Sequence, residues 1–194
     1  MTEQISKTKR QLIEVARELF ASKGKKNITM NDIAEASHKG RRTLYTYFKS
    51  KDEVYKAVID NELRLVIETL INVSSKNINP YKKLKEHIIA HLETIKNSVT
   101  RNGTLRADFF KDIYEVERSR RRIDVIEQDL IKNILTEGVE KGEFKKMDVN
   151  TISIIVLYSL KGLEVPYIRQ NNNLVSGNNR NDIVEFIFNG IKEG

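Results

Sequence analysis

The chain has 194 residues, long enough for one large domain or for a small domain joined to a larger one. Apolar residues at 39% and charged residues at 31% exclude wholesale disorder, nine Gly and two Pro argue against a turn-rich β fold, and the absence of Cys excludes disulfides and thiolate chemistry. The net charge of +7 is unevenly placed: residues 1–56 hold 13 Lys/Arg against 7 Asp/Glu, and residues 57–194 hold 21 against 20, the pattern of a polyanion-binding head on a nearly neutral body.

Residues 6–22 carry Leu12, Ile13, Ala16, Leu19 and Phe20 at the spacing of an amphipathic helix, with Gly24 as a natural stop. Thr29 and Asp32 form a capping box for a short helix that ends near Ala36. Gly40 then precedes a third helix from Arg41 to Phe48, and Ser50 with Glu53 caps a long connecting helix over about 51–72. Two short helices separated by a glycine-containing turn give a helix-turn-helix layout.

Pro80 starts a helix over 81–99, which breaks at 100–103. Residues 104–141 read as one or two helices with an interruption near 117–122, ending at Gly142. A helix over 147–170 is apolar most of the way round and interrupted near Pro166; a polar connector (171–181) leads to a closing helix over 182–193. No strand pattern has support, so the fold class is all-α, with about nine helices. The N-terminus lacks an apolar leader, and the apolar stretch 152–160 is about half a membrane span, so the expectation is a cytoplasmic protein with no membrane partner.

On a helix over 41–48, Leu44 and Phe48 define the buried side and leave Arg42 and Thr46 pointing outward, flanked by Thr43 and Tyr45. Arg can grip guanine, Thr can donate, accept or touch a thymine methyl, and Tyr hydroxyls and Lys can meet phosphates. The residues thus point to DNA.

The stretch ITMNDIAEASHKGRRTLYTYFKSKDEVY (28–55), with IEVARELFASKG (13–24) ahead of it, resembles the DNA-binding head of the TetR family of bacterial transcriptional regulators. Ile33-Ala34, Thr43-Leu44-Tyr45, Tyr47-Phe48 and Ser50-Lys51 fall in family register without a gap. The resemblance implies an all-α homodimer, with a three-helix DNA-binding head at 1–50 and an effector-binding and dimerisation body at 51–194. By register, Thr29, Gly40, Arg41, Arg42, Thr43, Tyr45, Thr46, Tyr47 and Lys51 fall where family members touch DNA. Three positions depart from the pattern: His38 replaces the usual turn glycine, Lys39 a buried aliphatic, and Gly40 the Ser or Thr that caps the recognition helix.

In the body, the apolar helices near 148–165 and 182–192 read equally as central core helices or as a four-helix interface between two copies; the resemblance favours the interface, through Ile152, Ile155, Val156, Ile183, Phe186 and Ile187. His87, His91, Arg106, Phe109, Phe110 and Tyr114 mix aromatic and polar groups as a small-molecule pocket would. HIIAH (87–91) lacks the Glu of zinc hydrolases and no third ligand is evident, so no metal and no cofactor are expected. With no phosphate loop and no nucleophilic triad, an enzyme is not expected either. The expectation is a regulator, a repressor released by a small-molecule effector, on a palindromic double-stranded DNA operator. The competing reading is an effector-independent architectural DNA-binding protein.

Overall fold

The computed structural model describes the backbone of residues 6–102, 113–169 and 180–191, and their side chains apart from 113–120, 169 and 180–183. The elements are α1 (Lys7–Lys23), a 3-10 turn (Lys25–Asn27), α2 (Met30–Ala36), α3 (Arg41–Tyr47), α4 (Lys51–Ser74), α5 (Pro80–Arg101), α6 (Ile113–Glu140), α7 (Val149–Arg169) and α8 (Arg180–Ile191). Eight α-helices and no β-strand occur among the described residues, which is the all-α fold expected.

Helix α5 ends at Arg101, inside the break expected at 100–103. Two other expected breaks are absent. Helix α6 passes unbroken through 117–122, because Glu and Arg are good helix formers. Helix α7 continues through Pro166. The proline takes the partner of the Gly162 carbonyl, and Gly162 is exposed, so water can satisfy that oxygen. Beyond the proline, Tyr167 is 3% exposed and donates its hydroxyl to Glu93, which anchors the last turn.

The chain divides into two compact units: Met1–Arg64 with Ser98–Ser119, and Leu65–Asn97 with Arg120–Gly194. In the first, α1 packs on α2 and α2 on α3. Leu12, Ala16 and Phe20 of α1, Ile33 of α2, Leu44 of α3 and Val54, Tyr55 and Val58 of α4 are all buried, and Phe20 meets Tyr55 edge-on at 5.5 Å. The buried Glu62 carboxylate accepts from Ser98 (2.9 Å), Asn102 (2.8 Å) and Arg101, while Arg17 pairs with Glu14 at 2.8 Å and donates to the Arg101 carbonyl at 3.3 Å. Buried charge is tolerated there because the Glu62 carboxylate and the Arg17 guanidinium each have partners.

The second unit has an apolar core drawn from α5 (Leu84, Ile88), α6 (Ile131, Ile134, Leu135), α7 (Val156, Leu157, Leu160) and α8 (Val184, Phe188, Ile191), with Phe144 between α6 and α7. Helix α6 ends in a Schellman turn: Gly142 takes φ 71°, its N–H bonds the Val139 carbonyl at 3.1 Å, and the Glu143 N–H bonds the Gly138 carbonyl at 2.9 Å. The chain folds back so closely that the Phe144 ring lies where a Cβ on residue 138 would be. Glycine at 138 is the condition for seating Phe144.

Candidate nucleic-acid interface

The helix-turn-helix is built from α2, the turn 37–40 and α3. At the start of α2, the Thr29 hydroxyl accepts from the Asp32 N–H (3.2 Å), and the Asp32 carboxylate accepts from the Thr29 N–H and hydroxyl, both at 2.7 Å. These hydrogen bonds hold the Asp32 carboxyl below its usual range. The capping box is therefore formed, and it occupies the exposed hydroxyl that register places at DNA.

Helix α2 also ends in a Schellman turn. The His38 N–H bonds the Glu35 carbonyl at 3.0 Å and the Lys39 N–H bonds the Ala34 carbonyl at 3.1 Å, with His38 at φ 53° in the left-handed region. The geometry that a turn glycine provides is present with a histidine in its place. Gly40 caps α3 through its backbone alone, its carbonyl accepting from the Leu44 N–H at 3.2 Å.

Along α3, Leu44 (0% exposed) and the following Phe48 (4%) are buried; Arg41, Arg42, Tyr45 and Thr46 are exposed, and Thr43 and Tyr47 half-buried. This is the division that the helical period implies. Neither Arg41 nor Arg42 has a side-chain partner among the described residues. The Thr46 hydroxyl donates to the Arg42 carbonyl at 2.9 Å, and the Ser6 hydroxyl donates to the Tyr47 oxygen at 3.3 Å. The latter pairing joins residues 41 apart, so no local sequence pattern announced it.

At the start of α4, the Ser50 hydroxyl accepts from the Glu53 N–H at 3.2 Å, while Glu53 accepts from the Lys49 N–H instead of the Ser50 N–H. Lys51 is half-buried and its ammonium donates to the Lys25 carbonyl at 2.9 Å; Lys25 in turn pairs with Asp52 at 3.0 Å and lies 4.1 Å over the Tyr55 ring. Lys51 thus carries a structural bond that its place in the motif did not reveal.

Residues 12–58 match the model of the bacterial regulatory proteins, tetR family. Over that stretch, about a quarter of its length, the chain is similar to the TetR family. Over 80 residues it is 34% identical to an uncharacterised HTH-type transcriptional regulator of Lactococcus lactis subsp. lactis, a match that spans 41% of each chain. Over 156 residues it is 23% identical to the HTH-type transcriptional repressor KstR2 of Mycobacterium tuberculosis, covering 77% of this chain and 76% of that protein. Its fold is similar to that of the transcriptional regulator FadR of Bacillus subtilis, solved in complex with stearoyl-CoA, with a TM-score of 0.66 at 21% identity over 93% of this chain and 98% of that one.

In the second unit, the two histidines of HIIAH are 0% and 2% exposed and meet carboxylates. Glu127 Oε1 lies 3.3 Å from His87 Nε2 and 2.6 Å from His91 Nδ1, and Glu164 Oε1 lies 3.2 Å from His91 Nε2. Ser74 Oγ is 3.2 Å from His87 Nδ1, so one polar cluster ties α4, α5, α6 and α7. With a carboxylate at each ring nitrogen, His91 is held as the imidazolium. Burial pushes its pKa down, but the hydrogen bonds and charges of Glu127 and Glu164 prevail and raise it to about 9. Glu127, which burial alone would raise, is lowered to about 2 by His87 and His91. Arg106, Phe109 and Phe110 lie outside the described residues, and so does the side chain of Tyr114, whose backbone belongs to α6. A groove of about 210 Å³ lies elsewhere in this unit, against Ile71, Leu130, Ile134 and Glu137.

The apolar helices divide unequally. Val156 is 3% exposed in the unit's own core, and Ile152 and Ile187 pack against that core. Ile155 (54% exposed) and Phe186 (83%) face outward, joined by Ile154 and Tyr158. The side chain of Ile183 lies outside the described residues. Helix α7 turns Ser153 and Glu164 inward and isoleucines outward, opposite to the polarity of a helix that ends at solvent.

Proposed function

We propose that this regulator is a repressor that binds a palindromic operator as a homodimer and is released by a small molecule held in the body, with residues 1–50 as the head and 51–194 as the body. The observation that carries the DNA reading is the outward face of α3: two arginines without a partner among the described residues, with Thr46 and Tyr45 beside them, on a helix pinned from behind by Leu44 and Phe48. The excess positive charge of residues 1–56 supports it, since phosphate neutralisation supplies most of the non-specific affinity. Homodimerisation is supported by the exposed apolar side chains of α7 and α8, which a monomer would leave wet. Repression and effector release draw support from KstR2, a repressor, and from FadR, whose fold holds stearoyl-CoA.

The test is a fluorescence-anisotropy titration with duplexes from upstream of the protein's own gene. The expected result is tight, salt-dependent binding to a palindrome. Arg42→Ala should weaken it by about 1–3 kcal/mol at one base pair of each half-site. Lys51→Ala should weaken all sequences alike, flatten the salt slope and lower the melting temperature, because its bond to Lys25 is lost as well. Equal binding of parent and Arg42→Ala to every duplex would refute the assignment of α3 to the groove.

A further inference from the structure

We infer that Thr46 reads a thymine through its γ-methyl group, an inference that rests on α3 lying in the major groove. The hydroxyl of Thr46 has one hydrogen, and it is given to the Arg42 carbonyl at 2.9 Å. A hydroxyl so committed cannot donate to the major-groove acceptors of guanine, adenine or thymine. The same bond turns Oγ1 back along the helix toward residue 42 and leaves the methyl as the outer atom of an exposed side chain. Thymine alone among the four bases presents a methyl group in the major groove. The hydroxyl oxygen, turned back toward residue 42, keeps acceptor capacity only, so the outward methyl is the group that selects the base.

The neighbours of Thr46 fix where that thymine lies. Thr46 is four residues beyond Arg42 on the same helical face, about 6 Å along the axis. That rise corresponds to about two base steps of 3.4 Å. The Arg42 guanidinium, without a partner among the described residues, is the donor on this face and suits guanine. Leu44 and Phe48, both buried, hold the helix against rotation that would change this register. The half-site thus contains a guanine read by Arg42 and, about two steps away, a thymine read by Thr46.

The experiment uses a duplex enriched from a random-sequence pool by the full-length protein. Each thymine of the enriched half-site is replaced in turn by deoxyuridine, which deletes one methyl and no hydrogen bond. One position per half-site should cost the parent about fourfold in affinity, the value of one buried methyl-sized group. Thr46→Val, which keeps the methyl and loses the hydroxyl, should retain that penalty, and Thr46→Ser, which keeps the hydroxyl and loses the methyl, should abolish it. The inference is overturned if Ser keeps the penalty while Val loses it, or if no uridine swap affects the parent. The second readout needs no protein variant and so does not depend on any variant folding. Arg42→Ala on the same duplex separates the two levels: parental binding by that variant removes the groove reading itself, whereas a loss there without any uridine effect removes only the Thr46 assignment.

Discussion

His38 occupies a left-handed backbone conformation that usually belongs to glycine. Its Schellman bonds form nonetheless, so the turn tolerates the strain instead of rearranging. His38→Gly should raise the stability of the head by up to about 1 kcal/mol, and the β-branched His38→Val should lower it by about 1–2 kcal/mol, read as shifts in chemical-denaturation midpoint. Equal midpoints for the two variants would mean that the turn relaxes on substitution. The same bookkeeping applies to buried charge at His91. Its folded pKa of about 9 lies above the ordinary 6.5, so its contribution is complete below about pH 6.5 and disappears as pH rises to about 9. Glu127, lowered from 4.5 to about 2, contributes fully above about pH 4.5 and loses its contribution as pH falls toward 2. Melting temperature should therefore fall between pH 6.5 and 9, and His91→Phe should flatten that alkaline limb. An unchanged slope in the variant would place the pH dependence elsewhere.

At the scale of elements, α6 shows how a helix can require a residue that weakens it. Glycine inside a helix costs about 1 kcal/mol relative to alanine. Yet at 138 an added methyl would overlap the ring of Phe144, which is 2% exposed in the core of the second unit. Overpacking should win: Gly138→Ala is expected to destabilise by about 1–3 kcal/mol in thermal or urea unfolding, against the stabilisation that propensity alone forecasts. Helix α1 has a converse feature: Lys7, Lys9 and Arg10 open it with no acidic residue in the first turn, against the helix dipole. That arrangement accords with a head whose charge serves a polyanion before it serves the helix.

On the scale of the whole molecule, the exposed Ile155, Tyr158 and Phe186 are the features that two copies would bury. Ile155→Glu combined with Phe186→Glu should shift the sedimentation coefficient from dimer to monomer and weaken operator binding, while circular dichroism stays helical. A parent that sediments as a monomer at micromolar concentration would remove the homodimer from the proposed function. Since a half-site engaged by one small head is weak, such a dimer would also decide whether binding is specific at all.

The head was legible because its information is local. The stripe Leu12, Ala16 and Phe20, the Thr29–Asp32 box and the outward residues of α3 follow from helical period and capping chemistry, which act within a few residues. The body was legible only as helices. The interruptions expected at 117–122 and near Pro166 are absent: Glu and Arg favour the helix in the first, and in the second an exposed Gly162 and an anchored Tyr167 let the helix continue past the proline. Nor could period tell which of two apolar faces of α7 turns inward, since both qualify; Val156 went to the core and Ile155 to the surface. The sequence by itself determined an all-α chain with a basic helix-turn-helix head, because charge, caps and periodicity are properties of neighbouring residues. Only the tertiary structure decided that His87 and His91 meet Glu127 and Glu164, that Lys51 serves Lys25, and that Ser6 reaches Tyr47, because those contacts join residues far apart in the chain.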